Sequence, residues 1–431
     1  MRRFVRFFSS TTAKFIHRWL LSVSPAQSNP FVHVESVKYR RDDTTNVTPN
    51  TIDRIARQLH RKHAHPINIV KKRVENHVQT SYRTRNGLSP LFTALDDISP
   101  VVTVRQNFDS LLVPRDHPSR SKNDNYYINS EYMLRAHTTA HESDLIGMGL
   151  NAFLLTGDVY RRDEIDATHY PVFHQMEGVR LFTEPELFAN CEGSRFQLFE
   201  NGLETDDKQA MHTMATSKTL ENDLKRTLTG IVRALFGDVK TRWIAATFPF
   251  THPSWELEIF FQGDWLELLG CGVLQQDIVR GAGALDQAGW AFGIGLDRLA
   301  MALFRIPDIR LFWSEDPRFL SQFAGITDDL TSLVEFKPYS KYPPCYKDIT
   351  FWIPEDYNEN DFYEIVRSVA GDLAEEVKLI DDFRHVETGR RSHCYRINYR
   401  SMDRTLTNKE TNELQEELRN QVELQLGGKL R

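Results

Sequence analysis

The stretch TGDVYRRDEIDATHYPVFHQMEG, residues 156–178, decides the fold of this 431-residue chain. A β-rich run, residues 152–159, enters it, and a second leaves from Val172. Between them lies a loop of charged and turn-forming residues. Side chains alternate along a strand, so Phe173, Gln175 and Glu177 share one face. An aromatic ring, an amide and a carboxylate in that row suit a ligand that is flat at one end and cationic at the other. The same residues also fit a surface hairpin laced with Arg–Asp pairs, each worth about 0–1 kcal/mol.

Outward from this stretch, residues 243–248, 255–261 and 265–269 read as further strands. Their clean alternation predicts an antiparallel sheet flanked by helices, an α+β fold. Upstream, Pro66 opens a helix whose Ile67, Val70, Val74 and Val78 fall on one side. A shorter helix is predicted over 51–60, with Thr51 or Asn50 as its N-cap. Composition shifts at 325–337. Beyond it come a strand (346–353), a helix (361–371), two strands (375–383 and 392–399) and a helix (408–426). With one more strand before or after, that is a ferredoxin-like βαββαβ unit.

The composition, 40% hydrophobic and 26% charged, excludes long disorder and collagen-like repeats. No apolar run approaches the roughly 18 residues of a membrane helix. Four cysteines far apart, with no CxxC, argue against a disulfide scaffold or a zinc module. P-loop and strand-led Rossmann signatures are missing as well. Net charge is −6, yet the first 34 residues hold five cations and no acid, leaving −11 for the rest. Contact with nucleic acid must therefore run through local basic patches. That acid-free start has Phe4, Phe7, Phe8, Phe15 and Trp19 on one side and arginines opposite, the composition of an organelle transit peptide over 1–30.

A second chemical stretch is GWAFGIGLDRLAM, residues 289–301. Gly293 and Gly295 allow close approach, and Arg298 follows in the first turn of an apolar helix. An arginine there needs a partner, because an unpaired buried charge costs several kcal/mol. Asp297, another acid or a phosphate are the choices.

Together the two stretches resemble motifs 2 and 3 of class II aminoacyl-tRNA synthetases: aromatic-Arg-x-acid at 160–163, and GxGx-acid-Arg at 293–298, with Asp297 where Glu is usual. Residues 95–102, 106–109 and 117–120 resemble motif 1. The wording at 135–141, 173–178, 248–253, 269–272, 291–293 and 392–396 is similar to the single-chain, mitochondrial-type phenylalanyl-tRNA synthetases. The resemblance runs from about residue 50 to the end. It implies a transit peptide (1–30), an N-terminal extension (31–64), a class II catalytic domain (65–320), a linker (321–337) and an anticodon-binding domain (338–431).

The resemblance also implies roles. Arg161 would hold the α-phosphate of ATP, Arg298 the γ-phosphate and one adenine face, and Phe173 the other face, with His169 assisting. His137, Thr139, Gln175 and Glu177 would read the amine of phenylalanine. Phe248 and Phe250, which alone read as core, would pack edge-to-face on its ring above Ala291, which alone reads as a helix-packing alanine. Glu258 and Glu267 fall across a predicted hairpin turn at 262–264 and suit Mg²⁺, or are two solvated carboxylates. In the last domain Arg384, Arg390, Arg391, Arg396, Arg400 and Arg404 outnumber Glu387 and Asp403. Arg391, Arg396 and Arg400 are the candidates for tRNA(Phe) contact, with Tyr395 and Tyr399 for stacking, unless the strip is a solvated strand edge. The expected enzyme is a monomeric phenylalanine–tRNA ligase of the mitochondrial matrix, and also of the plastid where there is one. No segment is left for an editing domain. A phosphoserine-specific relative would need a cationic pocket, which Phe248 and Phe250 contradict. An idle RNA-binding relative would have lost Arg161, Arg298 or Glu177.

Overall fold

A computed structural model of the chain describes residues 29–189, 196–326, 334–339 and 342–431. The expected transit segment lies outside them apart from Asn29 and Pro30. Two short pairs stand apart from the main sheet, β1 (Phe31–Val34) with β2 (Val37–Arg40), and β4 (Val101–Thr103) with β5 (Tyr132–Leu134). The main sheet holds β3 (Thr93–Leu95), β6 (Ala152–Tyr160), β7 (Val172–Thr183), β8 (Thr241–Phe248), β9 (Thr251–Phe261), β10 (Asp264–Leu274) and β11 (Gln287–Gly295). Their order is β3-β6-β7-β11-β10-β9-β8, antiparallel except for β3 beside β6. The hairpin expected at 262–264 joins β9 to β10, with Gln262 and Gly263 both at positive φ, as a two-residue turn requires.

One face of this sheet is closed by the helices Pro66–Ser81, Met214–Phe236 and Leu296–Phe304. Ile67, Val70, Val74 and Val78 all turn inward, as their spacing predicts. Trp290, Phe292, Met176 and Leu154 meet them from the strands. Phe292 lies opposite Gly178, and a Cβ there would sit 2.3 Å from its ring, so only glycine admits it. The other face is closed at one end only. There Leu155, Val179, Ala291 and Leu274 pack with Leu145, Ile146 and Val279 of the short helices Glu142–Gly147 and Gln276–Gly281.

The helix expected over 51–60 is shorter, Pro49–Ile55, and its cap is Thr48 rather than Asn50 or Thr51. Proline lacks the N–H that a first helical residue leaves unused, so Pro49 moves the start back. The Thr48 hydroxyl accepts from the Thr51 N–H at 3.2 Å. Phe323, Ile326 and Phe336, in or near the expected linker, pack into the main core.

The C-terminal module is the ferredoxin-like unit: β12 (Cys345–Trp352), helix Glu359–Ala370, β13 (Ala374–Arg384), β14 (Arg391–Tyr399), helix Asn408–Leu426 and β15 (Lys429–Leu430). The missing strand comes last, and the sheet order is β13-β14-β12-β15. This module rests on the loop between β6 and β7. Ile165 is buried in the module's core, and its carbonyl accepts from the Val377 N–H at 2.9 Å. Arg162 pairs with Asp361 at 2.8 Å, and Arg367 donates to the Glu164 carbonyl at 2.7 Å. Buried Arg310 spans Asp308 (2.6 Å) and Glu375 (3.2 Å).

Gly178→Ala should overpack the sheet against Phe292 and destabilise the fold by about 1–3 kcal/mol. The check is a lower midpoint of urea unfolding. An unchanged midpoint would show that the ring can move aside.

Candidate active site

The open half of the sheet is a floor with most of its side chains missing. Register carries one row across it: Glu177 of β7, Gly293 of β11, Gly270 of β10 and Glu256 of β9. Paired residues point to the same side, so all four face the opening. Above Gly293 and Gly295 a Cβ would meet nothing within 4 Å, whereas one on Gly270 would strike the Phe248 ring at 2.9 Å. The bare strip is thus walled at one side by an aromatic ring.

Along β7 the expected alternation holds: Phe173 and Gln175 are half-buried on the open face, and Glu177 is buried deeper in. Arg161 leaves the end of β6 toward the same face. Its Nε donates to the Ala136 carbonyl at 2.8 Å, and its guanidinium lies 5.2 Å from the Phe173 ring centre. Burial, with the nearby positive charge of Arg298, lowers the Arg161 pKa. The two guanidinium groups therefore share one electrostatic neighbourhood although 137 positions separate them.

Arg298 is exposed, so the expectation of a buried arginine needing an acid does not hold. Nor is Asp297 its partner. Asp297 is buried, and its carboxylate accepts from the His174 N–H at 2.6 Å and faces the His174 ring Nδ1 at 3.2 Å. One motif's acid is thereby bolted to the other motif's strand, and the arginine is left facing out.

At the far end the segment 137–142 closes the pocket. Arg135 anchors it from below, donating to the Asp158 carboxylate and carbonyl, each at 2.7 Å, and to the Ile98 carbonyl at 3.0 Å. Thr138 then donates its hydroxyl to Glu177 at 3.0 Å and its N–H to the Gln175 side chain at 3.4 Å. Thr139 also bonds Glu177, and burial raises the Glu177 pKa to about 7. His137, desolvated beside Arg161, is lowered to about 3 and is neutral. Its ring lies 6.2 Å from Phe250, which runs parallel to Phe248 at 5.9 Å. Both phenylalanines are half-buried rather than core. Ala291 is buried where the bare strip meets the apolar cluster under the short helices.

A carboxylate-lined end, an aromatic wall and a two-arginine end thus share one glycine floor. The description "tRNA synthetases class II core domain (F)" fits residues 51–190 and 209–323, and "Ferredoxin-fold anticodon binding domain" fits 340–431. The mitochondrial phenylalanine–tRNA ligase of Mus musculus is 57% identical over 86% of this chain and 82% of the mouse protein. The chloroplastic/mitochondrial enzyme of Arabidopsis thaliana is 49% identical over 91% and 84%. The mitochondrial enzyme of Saccharomyces cerevisiae is 43% identical over 90% and 92%. The chain belongs to the phenylalanine–tRNA ligase family.

Within that family's site, three expectations fall out differently. His169, expected at the phosphates, is held in a turn by Asp166: its N–H and ring Nδ1 each lie 2.8 Å from the carboxylate. It lines a crevice with Arg54, Arg367 and Asp372, on the side toward the C-terminal module. Among the described residues only Asp163, Glu164 and His169 bring three ligand atoms within 4.8 Å of one another. Those residues belong to the loop under the module.

Glu258 and Glu267 are directly opposite each other, as the hairpin predicted, but Glu258 also pairs with Arg242. Glu256 shares their face and has its pKa raised by burial and by both neighbours. The three carboxylates share a face, but their ligand atoms do not all come within 4.8 Å of one another and Arg242 occupies one of them. The pair Glu258–Glu267 thus offers oxygen ligands to a hard cation such as Mg²⁺ without closing a three-ligand site.

The basic strip of the module is largely neutralised. Arg391 pairs with Asp382, Arg396 with Asp348 at 2.9 Å, and Arg400 with Glu375 at 3.1 Å. Tyr395 and Tyr399, expected to stack on bases, are instead fully buried, because alternation along β14 turns the odd-numbered residues into the core. Sequence reasoning missed Thr138, Arg135 and the floor role of Gly270, though all three lie within the family phrases.

Asp297→Ala would strand buried donors of His174 and should cost about 1–3 kcal/mol. Urea unfolding measures it; a change within error would remove the carboxylate from this structural role.

Proposed function

We propose that the site activates phenylalanine with ATP and passes it to the 3′ end of tRNA(Phe), a reaction in keeping with relatives named phenylalanine–tRNA ligases. The carrying observation is the proximity of Arg161 and Arg298 at the head of a row that ends in Glu177. In the first step a carboxylate oxygen of phenylalanine attacks the α-phosphorus, the α–β bridge breaks and pyrophosphate leaves. The reaction needs no protein nucleophile, so catalysis is positioning plus neutralisation of charge on phosphate oxygens.

Arg161 is suited to the α-phosphate through its free donors, and Arg298 to the γ-phosphate. An adenine between Arg298 and Phe173 meets a planar cation on one side and an aromatic ring on the other. Gln175, Glu177 and Thr139 are the acceptors for the ammonium group, with Thr138 fixing the first two. Neutral His137 closes that end without adding a competing cation. Phe248 and Phe250 offer ring faces to the substrate ring, and Ala291 leaves it room. Glu258 and Glu267 would hold Mg²⁺, which when bound would supply charge neutralisation to the leaving pyrophosphate. The second step moves the aminoacyl group from the adenylate to a ribose hydroxyl, the 2′-OH in our reading. We assign tRNA(Phe) contact to the C-terminal module, with the chain acting as a monomer in the mitochondrial matrix.

Arg161→Ala should lower phenylalanine-dependent ATP–pyrophosphate exchange by about 10²–10³, the loss typical of one donor at a charged transition state. Wild-type exchange would remove Arg161 from the phosphate role. An apolar pocket rejects an added hydroxyl by only about 10². Tyrosyl-tRNA should therefore form measurably and persist; rapid enzyme-dependent deacylation of Tyr-tRNA(Phe) would disprove the assignment of no editing activity.

A further inference from the structure

Beside Glu177 lies a second carboxyl that the reading above leaves unused. Glu142 opens the short helix Glu142–Gly147, is 1% exposed, and neither carboxyl oxygen has a hydrogen-bond donor among the described residues. Its neighbour is Glu177, which it meets carboxyl to carboxyl. Two buried carboxylates in contact repel strongly, and burial disfavours each charge separately.

The surroundings offer no cation to relieve this. From the same segment, His137 and His141 are both lowered to about 3 and neutral. Arg135 is committed to Asp158 and faces His141. Arg161, at the end of β6, is held by the Ala136 carbonyl and the Phe173 face. Asp144 accepts from Gln106 at 2.6 Å. On the packed helix Gln276–Gly281, Arg280 lies over Phe199, 5.3 Å from its ring, and Asp277 is the one acid. From β7, Gln175 adds only an amide.

We propose that Glu142 and Glu177 share one proton in the empty pocket, and that the ammonium group of the amino acid takes its place, releasing the proton to solvent. Glu142 thereby becomes a second reader of the amine. This rests on the ligase reading of the site. The charge balances: one carboxylate and one carboxylic acid carry −1, and two carboxylates around one ammonium also carry −1. An isolated pair would lose far more on ionising fully, so the exchange gives the pocket a preference for a positively charged amine over a neutral group of the same shape.

The sign of the pH dependence follows. Glu142 is raised well above the ordinary carboxylate range by burial and by Glu177, and Glu177 itself is raised to about 7. The empty pair must therefore keep one proton well above the ordinary carboxylate range, and about pH 8 is where that is tested. A site that must release a proton on binding gains affinity as pH rises through the window where the proton is held.

The test is calorimetric titration of the full-length enzyme with phenylalanine at about pH 8, in buffers of different ionisation enthalpy. Release of about one proton per amino acid is expected for the wild type, and close to none for Glu142→Gln, which keeps the shape and removes the shared proton. A buffer-independent enthalpy in the wild type, or equal release in the variant, overturns the proposal. Should the variant fail to fold, the wild-type KM for phenylalanine in exchange decides alone. It should fall by up to about tenfold per unit between roughly pH 7.5 and roughly pH 8.5, and a flat profile overturns the proposal. Absence of phenylalanine binding under all conditions would instead remove the ligase reading beneath it.

Discussion

Two like charges held in one pocket are the constraint on which this molecule turns. Arg161 is desolvated and feels Asp163 as well as Arg298, yet neither arginine forms an ion pair with a carboxylate among the described residues. A protein that merely needed stability would relieve that repulsion with an acid, and the obvious acid, Asp297, is adjacent in sequence. It is spent instead on His174, where it ties the start of the Leu296–Phe304 helix to β7. The fold thus uses one buried carboxylate to fix the frame and leaves two cations for an anion that arrives from outside.

The other end of the floor inverts the arrangement, with carboxyls in excess and histidines held neutral. Phe173 and Glu177 are four residues apart on one strand, so about 13 Å separates the two ends at about 3.3 Å per residue. That span, polar in opposite senses at its ends and bare between them, matches a molecule with an ammonium head joined through a carboxylate to a polyphosphate. Selectivity by class of ligand follows from the charge layout before any shape is considered. The flat Phe248–Phe250 wall then adds shape to one side of it.

Much of this was legible in the residues. Alternation alone put Phe173, Gln175 and Glu177 on one face, and the 3.6-residue period of Ile67, Val70, Val74 and Val78 marked a helix that closes the other. Two kinds of feature were not legible. The first depends on register: the row Glu177–Gly293–Gly270–Glu256 needs four strands aligned, and no local pattern says which residues end up opposite. The second depends on competition for partners. Arg391, Arg396 and Arg400 read as a basic strip along the chain, but acids from β12 and β13 arrive beside them when the sheet forms. Tyr395 and Tyr399 were misplaced for a simpler reason, since the inward-facing set of β14 is odd-numbered. Thr138 went unnoticed because a hydroxyl between two recognised residues carries no signal until its distance to Glu177 is known.

The consecutive arginines 161 and 162 show how tightly the site and the C-terminal module are built together. As the chain leaves β6, Arg161 turns onto the glycine floor while Arg162 pairs with Asp361 of the module. The carbonyls of Asp163, Glu164 and Ile165 accept from that module, the Ile165 side chain is buried in its core, and His169 is held in the turn that follows. The phosphate-facing arginine is therefore flanked on its C-terminal side by backbone that a second domain immobilises. Its orientation is set from two directions: the Ala136 carbonyl on the catalytic side, and a clamped loop on the other. A loop so held loses little further conformational freedom when a triphosphate docks, which is the physical meaning of a pre-organised site.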